Sequence, residues 1–343
     1  MGKLYIRHMA IARIKTTIVG SYPTPKWLSD NPTEDNVVKA TRDVLKVQED
    51  AGLDLLVDGE MYRFDPSHPE TNGMIEFFIR PMDGIRMQLT EDEKAAFRAL
   101  PGMEFRRLPA GIVDSPIDVG SLDLKTPCNR VKSLASKPVK FTLTGPHMLA
   151  KTIPNSYYKN KEEVTFAIAR ALAKQVAELE ADVIQLDEAN LPGHPEEAPW
   201  ALEAINIMLD AVKTTPAVHL CFGNYAGKRV QDGTWEAMLE YLNGLHADHV
   251  VLETKRRPKD EISVLKDVGE HIGLGVGVVD IKTSNVESAE EIAKDLERIE
   301  KAVGVGRVKY IHPDCGFWIL DKATSDAKIN ALVKGRNLYL GID

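Results

Sequence analysis

The sequence has few cysteines, no long apolar run and no excess of basic residues. Its 343 residues include three cysteines, Cys128, Cys221 and Cys315, which are too few and too scattered for a disulfide framework. Lys and Arg number 43 against 51 Asp and Glu, so the net charge of −8 argues against nucleic acid as the main partner. No apolar stretch approaches the ~20 residues that a membrane-spanning helix needs. These absences indicate a globular protein whose thiols either bind a metal or lie buried.

The N-terminus has no feature of an export signal. Residues 1–10 lack the apolar core of a signal peptide, so we expect a cytoplasmic protein. The run His8-Met9-Ala10 is typical of a vector-derived tail. We therefore exclude residues 1–8 from the fold prediction and predict a single domain over residues 9–343.

Short runs rich in β-branched residues alternate with helical patterns along the chain. Several of these runs are apolar almost throughout, as expected for parallel strands that are buried on both faces. The predicted strands are Thr16–Gly20, Asp54–Glu60, Val139–Gly145, Asp182–Glu188, Ala217–Gly223, His249–Thr254, Ile272–Asp280 and Val308–Cys315. The predicted helices are Glu34–Ala51, Glu162–Glu180, Pro199–Lys213, Thr234–Gly244 and Ser288–Val303. This alternation predicts a (β/α)8 barrel, with residues 61–138 inserted between the second and third strands.

Potential metal ligands fall at predicted strand ends, where the chemistry of such barrels resides. His219 and Cys221 are two residues apart on one strand, so they project to the same side ~6.5 Å apart. Glu253 and Cys315 lie at the ends of two later strands. The four side chains offer nitrogen, sulfur and oxygen ligands, a mixture that favours Zn²⁺ in tetrahedral geometry. Taken alone, the His-x-Cys pair fits a buried, non-ligating pair equally well.

A second set of polar residues fits the amino-acid part of a thiol substrate. Glu60 and Asp187 end the second and fourth predicted strands, where unpaired carboxylates are costly to bury. They fit a pocket for an ammonium group, and the alternative is a salt bridge to a Lys or Arg of the barrel. Val19, Gly20 and Ser21 close the first strand, and backbone N–H groups and the hydroxyl there could hold a carboxylate.

Motifs spread over most of the chain carry a family resemblance. They are TTIVGSYP (16–23), VDGE (57–60), TGP (144–146), IQLDE (184–188), HLC (219–221), LET (252–254), VDIKTSNVES (279–288) and HPDCGFW (312–318). In this order the chain resembles the C-terminal catalytic barrel of cobalamin-independent methionine synthase, and most closely its short single-barrel "core" versions.

The resemblance implies a function and a set of site residues. It implies that His219, Cys221, Glu253 and Cys315 bind zinc, and that the enzyme makes methionine by methyl transfer to the zinc-bound thiolate of homocysteine. It also implies that Ser21 and the backbone of Val19 hold the homocysteine carboxylate, while Glu60 and Asp187 hold its ammonium group. Zinc coordination deprotonates a thiol whose free pKa is about 8.5.

Three departures from the family pattern bear on the methyl donor. Lys282 stands where full-length enzymes carry the His that protonates the folate leaving group, no Trp follows Gly145-Pro146, and the N-terminal half of those enzymes has no counterpart. We therefore predict methylcobalamin or another methyl-corrinoid, free or on a corrinoid protein, as the donor. Lys282 and Asp187 are the candidate catalytic residues, and the alternative for Lys282 is a structural pair with Asp280 or Glu253.

Other functions remain open at this point. A zinc enzyme acting on coenzyme M would share the cysteine and histidine pattern, and a decarboxylase of the uroporphyrinogen type would share the barrel without zinc. A non-catalytic zinc or corrinoid carrier would bind its ligand without turnover. The run Lys255-Arg256-Arg257 is expected to be solvated, although it could receive a corrinoid tail or an acidic carrier. The sequence does not indicate the oligomeric state.

Overall fold

A computed structural model describes residues 14–64, 73–99, 108–225, 228–229 and 232–342. The strands are β1 (Lys15–Thr16), β2 (Asp83–Arg86), β3 (Ile112–Asp118), β4 (Lys140–Thr144), β5 (Val183–Asp187), β6 (Thr215–Leu220), β7 (Asn224–Tyr225), β8 (Lys228–Arg229), β9 (His249–Leu252), β10 (Gly273–Val279) and β11 (Val308–Pro313). The α-helices are α1 (Lys26–Asp30), α2 (Glu34–Ala51), α3 (Glu76–Ile79), α4 (Glu91–Arg98), α5 (Lys125–Leu134), α6 (Pro146–Lys151), α7 (Lys161–Val176), α8 (Ala198–Leu209), α9 (Leu239–Gly244), α10 (Lys259–Val264), α11 (Ala289–Val303) and α12 (Lys322–Leu340). The predicted tail, residues 1–8, lies outside the described residues.

The central sheet is parallel and has seven strands in the order β1-β11-β10-β9-β6-β5-β4. The inner strands β5, β9 and β10 are buried at every position, which agrees with their largely apolar sequences. The predicted alternation of helices with parallel strands is thereby confirmed as an α/β fold. Because neighbouring strands are parallel and in register, their carboxyl ends meet at one edge, where Thr144, Asp187 and His219 are direct neighbours.

The second predicted strand, Asp54–Glu60, is reduced to a single bridge between Leu56 and Val139. Backbone N–H groups of residues 54 and 55 donate to Thr16 O, and Lys140 N donates to Leu56 O over 2.8 Å. This segment therefore contacts both edge strands of the sheet, β1 and β4.

Helix ends follow local capping chemistry. α2 has the predicted bounds because the Thr33 hydroxyl accepts a hydrogen bond from Asn36 N at its start, while Gly52 ends it with φ +88°. α11 begins with a capping box, in which Ser288 and Glu291 satisfy each other's backbone N–H groups.

The described part of residues 61–138 contains α3, α4, α5 and the antiparallel pair β2–β3. Residues 65–72 and 100–107 of this stretch lie outside the described residues. Among the described residues, no helix combines the length and the apolar character that crossing a bilayer requires.

Candidate metal centre

Three potential metal ligands meet at the carboxyl edge of the sheet. His219 lies in β6, Cys221 directly follows that strand, and Cys315 follows β11. The Sγ atoms of Cys221 and Cys315 are 4.0 Å apart, and Cys315 Sγ lies 3.9 Å from His219 Nε2. One ligand atom from each of the three residues lies within 4.8 Å of the others. The two cysteines are 94 residues apart in the sequence, and the parallel sheet brings their thiols together, as predicted.

These spacings fit one tetrahedral zinc ion. Two sulfurs bound to zinc at ~2.3 Å are about 3.8 Å apart in a tetrahedral site, close to the observed separation. Both cysteines are free, and their sulfurs are too far apart for a disulfide. His219 Nδ1 lies 2.9 Å from Val251 O, to which Nδ1–H donates, so Nε2, on the side of Cys315, is the nitrogen available to a metal ion. The ring is thus oriented as a metal-binding imidazole requires.

The charge on this group is concentrated on Cys315. The hydrogen bond from Cys221, together with that from His219, lowers the pKa of the Cys315 thiol to about 5 against the opposing effect of burial. The same contact with Cys315, followed by burial, raises the pKa of Cys221. A thiolate, a thiol and an imidazole therefore face one another at a position where a divalent cation would be stabilised.

Glu253, predicted as the fourth ligand, lies outside this three-residue group in the described part of the chain. Its Oε2 accepts a hydrogen bond from Phe222 N over 3.2 Å, and its Oε1 accepts one from Lys282 Nζ over 2.9 Å. Glu253 is nevertheless adjacent to the group, because Leu252 and Leu220 are paired neighbours on β9 and β6. The structure thus shows the Lys282–Glu253 pairing, one of the two that the sequence suggested.

Asp314 is a site residue that the sequence analysis missed. Its Oδ1 accepts hydrogen bonds from Thr254 N over 3.0 Å and Lys255 N over 2.9 Å. A Cβ at Gly277 would overlap this carboxylate, so glycine is required there for Asp314 to contact the backbone of Thr254 and Lys255. Burial raises the pKa of Asp314 to about 8. Asp314 therefore links the segment after β11 to the segment after β9. The sequence signal that could have identified it is an acidic residue directly before Cys315 at the end of a predicted strand.

The predicted carboxylate-binding residues lie beside the metal group. The backbone carbonyl of Ser21 accepts a hydrogen bond from Phe317 N over 2.8 Å. A Cβ at Gly316 would overlap the Ser21 hydroxyl, so this hydroxyl lies directly against the backbone that follows Cys315. The carbonyl of Val19 accepts a hydrogen bond from the Gln185 amide over 3.0 Å.

Glu60 is held in a strained backbone conformation. It has φ +62°, which is uncommon outside glycine and is tolerated where the surroundings impose it. Its Oε1 accepts a hydrogen bond from the Thr142 hydroxyl over 2.8 Å and lies 3.3 Å from Arg63 Nη1. A Cβ at Gly20 would overlap the same carboxylate. Glu60 is therefore positioned against the loop that carries Val19 and Ser21.

Asp187 belongs to a buried polar network below this pocket. Its Oδ1 accepts a hydrogen bond from Gln185 Nε2 over 2.7 Å, and Gln185 Oε1 accepts one from Lys140 Nζ over 2.7 Å. Burial raises the pKa of Asp187 to about 7. The charge of His219 opposes this rise, and the charge of Glu60 adds to it. Burial lowers the pKa of Lys140 to about 7. The sequence analysis missed Lys140, although a lysine inside an apolar strand run is a usable signal.

The basic run Lys255-Arg256-Arg257, which follows β9 and was expected to be solvated, is paired with carboxylates. Lys255 pairs with Asp295, Arg256 with Asp280, and Arg257 with Glu261. Lys255 and Arg257 are also largely shielded from solvent, so the run is not a freely solvated cluster. Each of its positive charges faces a carboxylate of the same chain.

Comparisons with known proteins bear on this site. The family model described as "Cobalamin-independent synthase, Catalytic domain" matches residues 14–337. A methionine synthase of Thermococcus kodakarensis is 30% identical, covering 95% of this chain and 94% of its own. One from Sulfurisphaera tokodaii is 28% identical, covering 95% and 92%. A solved structure of a B12-independent methionine synthase from Shewanella sp. W3-18-1, in complex with selenomethionine, shares the fold with TM-score 0.80 and 23% identity, covering 95% and 97%.

Proposed function

The chain belongs to the cobalamin-independent methionine synthase family and is a methyltransferase of the methionine synthase type, and we propose that it methylates homocysteine at a zinc site formed by His219, Cys221 and Cys315. The observation that carries this proposal is the group of two sulfurs and one imidazole nitrogen within 4.8 Å of one another. Zinc bound there would keep the substrate thiol deprotonated near neutral pH, which makes its sulfur nucleophilic.

The pocket beside the metal group favours an amino-acid thiol. Glu60 and Asp187 would hold the ammonium group, and the Ser21 hydroxyl would donate to the carboxylate. A bound ammonium group would relieve the cost of burying the Asp187 carboxylate, whose pKa burial raises to about 7. Coenzyme M carries a sulfonate instead of an ammonium group, and the two carboxylates would repel it. Direct proton transfer by Asp187 or Lys282 stays a prediction.

The methyl-corrinoid donor expected from the sequence is wrong, because the family that matches residues 14–337 is cobalamin-independent. Methylcobalamin as a cofactor conflicts with this membership, and a corrinoid protein as a partner has no support. We propose a methylated tetrahydrofolate as the donor. The homocysteine sulfur would then form its bond to the methyl carbon while the carbon–nitrogen bond of the donor breaks, and the nitrogen takes up a proton.

A donor comparison tests this assignment. Zinc-loaded protein with saturating homocysteine should form methionine from methyltetrahydrofolate, as mono- and polyglutamate, at least about tenfold faster than from methylcobalamin. A parallel reaction with a zinc chelator is the control for metal dependence. Equal or faster methionine formation from methylcobalamin would contradict the proposed donor.

We further propose that the sheet closes into a (β/α)8 barrel, with residues 54–56 completing the ring between β1 and β4. We also propose that residues 61–138 are an insertion within the same domain. Both are supported by the main apolar core, which joins Phe78 and Val113 of that stretch to Phe141 and Ile184 of the sheet.

A further inference from the structure

A fully buried glutamine lies between the two halves of the proposed amino-acid pocket. Gln185 is on β5, two residues before Asp187, so the two side chains project from the same face of the strand. Gln185 Nε2 donates to Asp187 Oδ1 over 2.7 Å and to the carbonyl of Val19 over 3.0 Å. The amide group thus connects the carboxylate predicted to hold the ammonium group with the loop that carries Ser21.

A fully buried lysine sets the orientation of this amide. Lys140 Nζ donates to Gln185 Oε1 and to the carbonyl of Ile18, each over 2.7 Å, and neither side chain has a surface exposed to solvent. An ammonium group has three donors and no acceptor, so only the oxygen of the amide can face Lys140. The NH2 group of the amide is then directed at the Val19 carbonyl and the Asp187 carboxylate.

We propose that Lys140 and Gln185 are positioning residues that fix the spacing between the carboxylate and ammonium subsites, so that the pocket selects a thiol carrying both groups on one carbon. This inference rests on the amino-acid pocket of the proposed function. An α-amino acid holds its two charged groups a short, fixed distance apart, so it gains from both subsites only where their spacing matches. An acceptor with one of the groups can follow its subsite when that subsite moves.

Loss of either residue should release this spacing. In Lys140→Met the amide oxygen of Gln185 loses its donor, and a reversed amide would place that oxygen against the Val19 carbonyl and the Asp187 carboxylate. These oxygens repel one another, so the loop and the carboxylate would move apart. Gln185→Met keeps nearly the same side-chain length and removes both connecting hydrogen bonds directly.

The test compares the binding of three acceptors to zinc-loaded protein by calorimetry. They are homocysteine, 4-mercaptobutanoate, which lacks the ammonium group, and 3-aminopropane-1-thiol, which lacks the carboxylate. In both variants the Kd of homocysteine should rise about tenfold, as expected for lost buried hydrogen bonds, and that of each truncated acceptor less than about threefold. The kcat with homocysteine should stay within about threefold of the wild type, because the lost interactions contribute to binding and the metal positions the sulfur.

Lys328→Met is the matched control. Lys328 is also completely buried, but its Nζ donates to the carbonyl of Asn285 and to Glu287, in the segment after β10. Its loss should lower thermal stability and leave the preference for homocysteine over the truncated acceptors unchanged.

The double variant Lys140→Met/Gln185→Met removes the buried charge together with its partner. It therefore keeps the test decisive if Gln185→Met, which retains the buried lysine, does not fold. Its preference for homocysteine should fall about as far as that of either single variant, because the two residues act as one unit.

The results separate the two proposals. An equal rise in the Kd of all three acceptors refutes the spacing role, since a general loss of structure acts on every acceptor alike. An unchanged homocysteine Kd in Lys140→Met and in the double variant refutes it too. A wild type that binds the three acceptors equally well has no amino-acid pocket, which defeats the proposed function and this inference together. A wild type that prefers homocysteine, and loses that preference in the variants, but forms no methionine contradicts the proposed activity and supports the spacing role.

Discussion

Replacing Cys315 with serine should remove zinc from the protein and reduce methionine formation more than about a hundredfold, beyond the range seen for residues that only support ligands. Cys315 Sγ lies within 4.0 Å of both Cys221 Sγ and His219 Nε2, and the pKa of this thiol is lowered to about 5 by Cys221 and His219. A serine hydroxyl stays protonated and supplies no such charge. Zinc per chain, measured by atomic absorption after gel filtration, is the direct readout.

The matched control for this variant is Cys128→Ala. Cys128 is a fully buried thiol that lies on α5, away from the metal group, and packs in the apolar core. Its removal should cost some thermal stability and leave zinc content and the KM for homocysteine unchanged. The ligand assignment fails if Cys315→Ser keeps a full complement of zinc while its circular dichroism shows a folded protein.

Replacing Glu60 with glutamine should raise the KM for homocysteine at least about thirtyfold, since losing one partner of a buried charge pair costs ~2 kcal/mol or more. Glutamine has nearly the same shape and leaves the backbone unchanged, so the loop at Gly20 should keep its position. Zinc content should be unaffected, because Glu60 is not part of the proposed metal-binding group of His219, Cys221 and Cys315. Steady-state kinetics with varied homocysteine provide the measurement.

The control for Glu60→Gln changes the substrate instead of a second residue. The acceptor 4-mercaptobutanoate has the thiol and carboxylate of homocysteine without the ammonium group. The wild type should bind it as poorly as the variant binds homocysteine, and the variant should show no further loss with it. An equal loss by the variant on both acceptors would mean that Glu60 supports the fold and does not hold the ammonium group.

Much of the fold follows from local sequence patterns. Strands such as β9 and β10 are predictable because burial on both faces favours a largely apolar run. The bounds of α2 are predictable because Thr33 and Gly52 mark its two ends. The segment Asp54–Glu60 has a similar apolar run, but it forms one bridge because the turn at Gly59 and Glu60, both with positive φ, ends the pairing. An apolar run alone does not distinguish a strand from such a connection.

The candidate site is only partly predictable from spacing. The i, i+2 relation of His219 and Cys221 follows from strand periodicity, and their approach to Cys315 follows from the parallel order of strands. Whether Glu253 faces a metal or Lys282 depends on side chains from different strand ends, which no local pattern encodes. The same holds for Asp314, whose contacts with Thr254 and Lys255 span about 60 residues. The donor prediction was wrong because it treated Lys282, a missing Trp and a missing N-terminal half as evidence for another donor, whereas residues 14–337 match a cobalamin-independent family.

The most direct test of the account is zinc X-ray absorption spectroscopy of the purified protein with and without homocysteine. With Cys221 and Cys315 as the cysteine ligands, the zinc edge should show two sulfur neighbours and at least one nitrogen in the free protein. Saturating homocysteine should raise the number of sulfur neighbours to three. A protein that binds no zinc, or a sulfur count that homocysteine leaves unchanged, would contradict a zinc site that receives the substrate thiol.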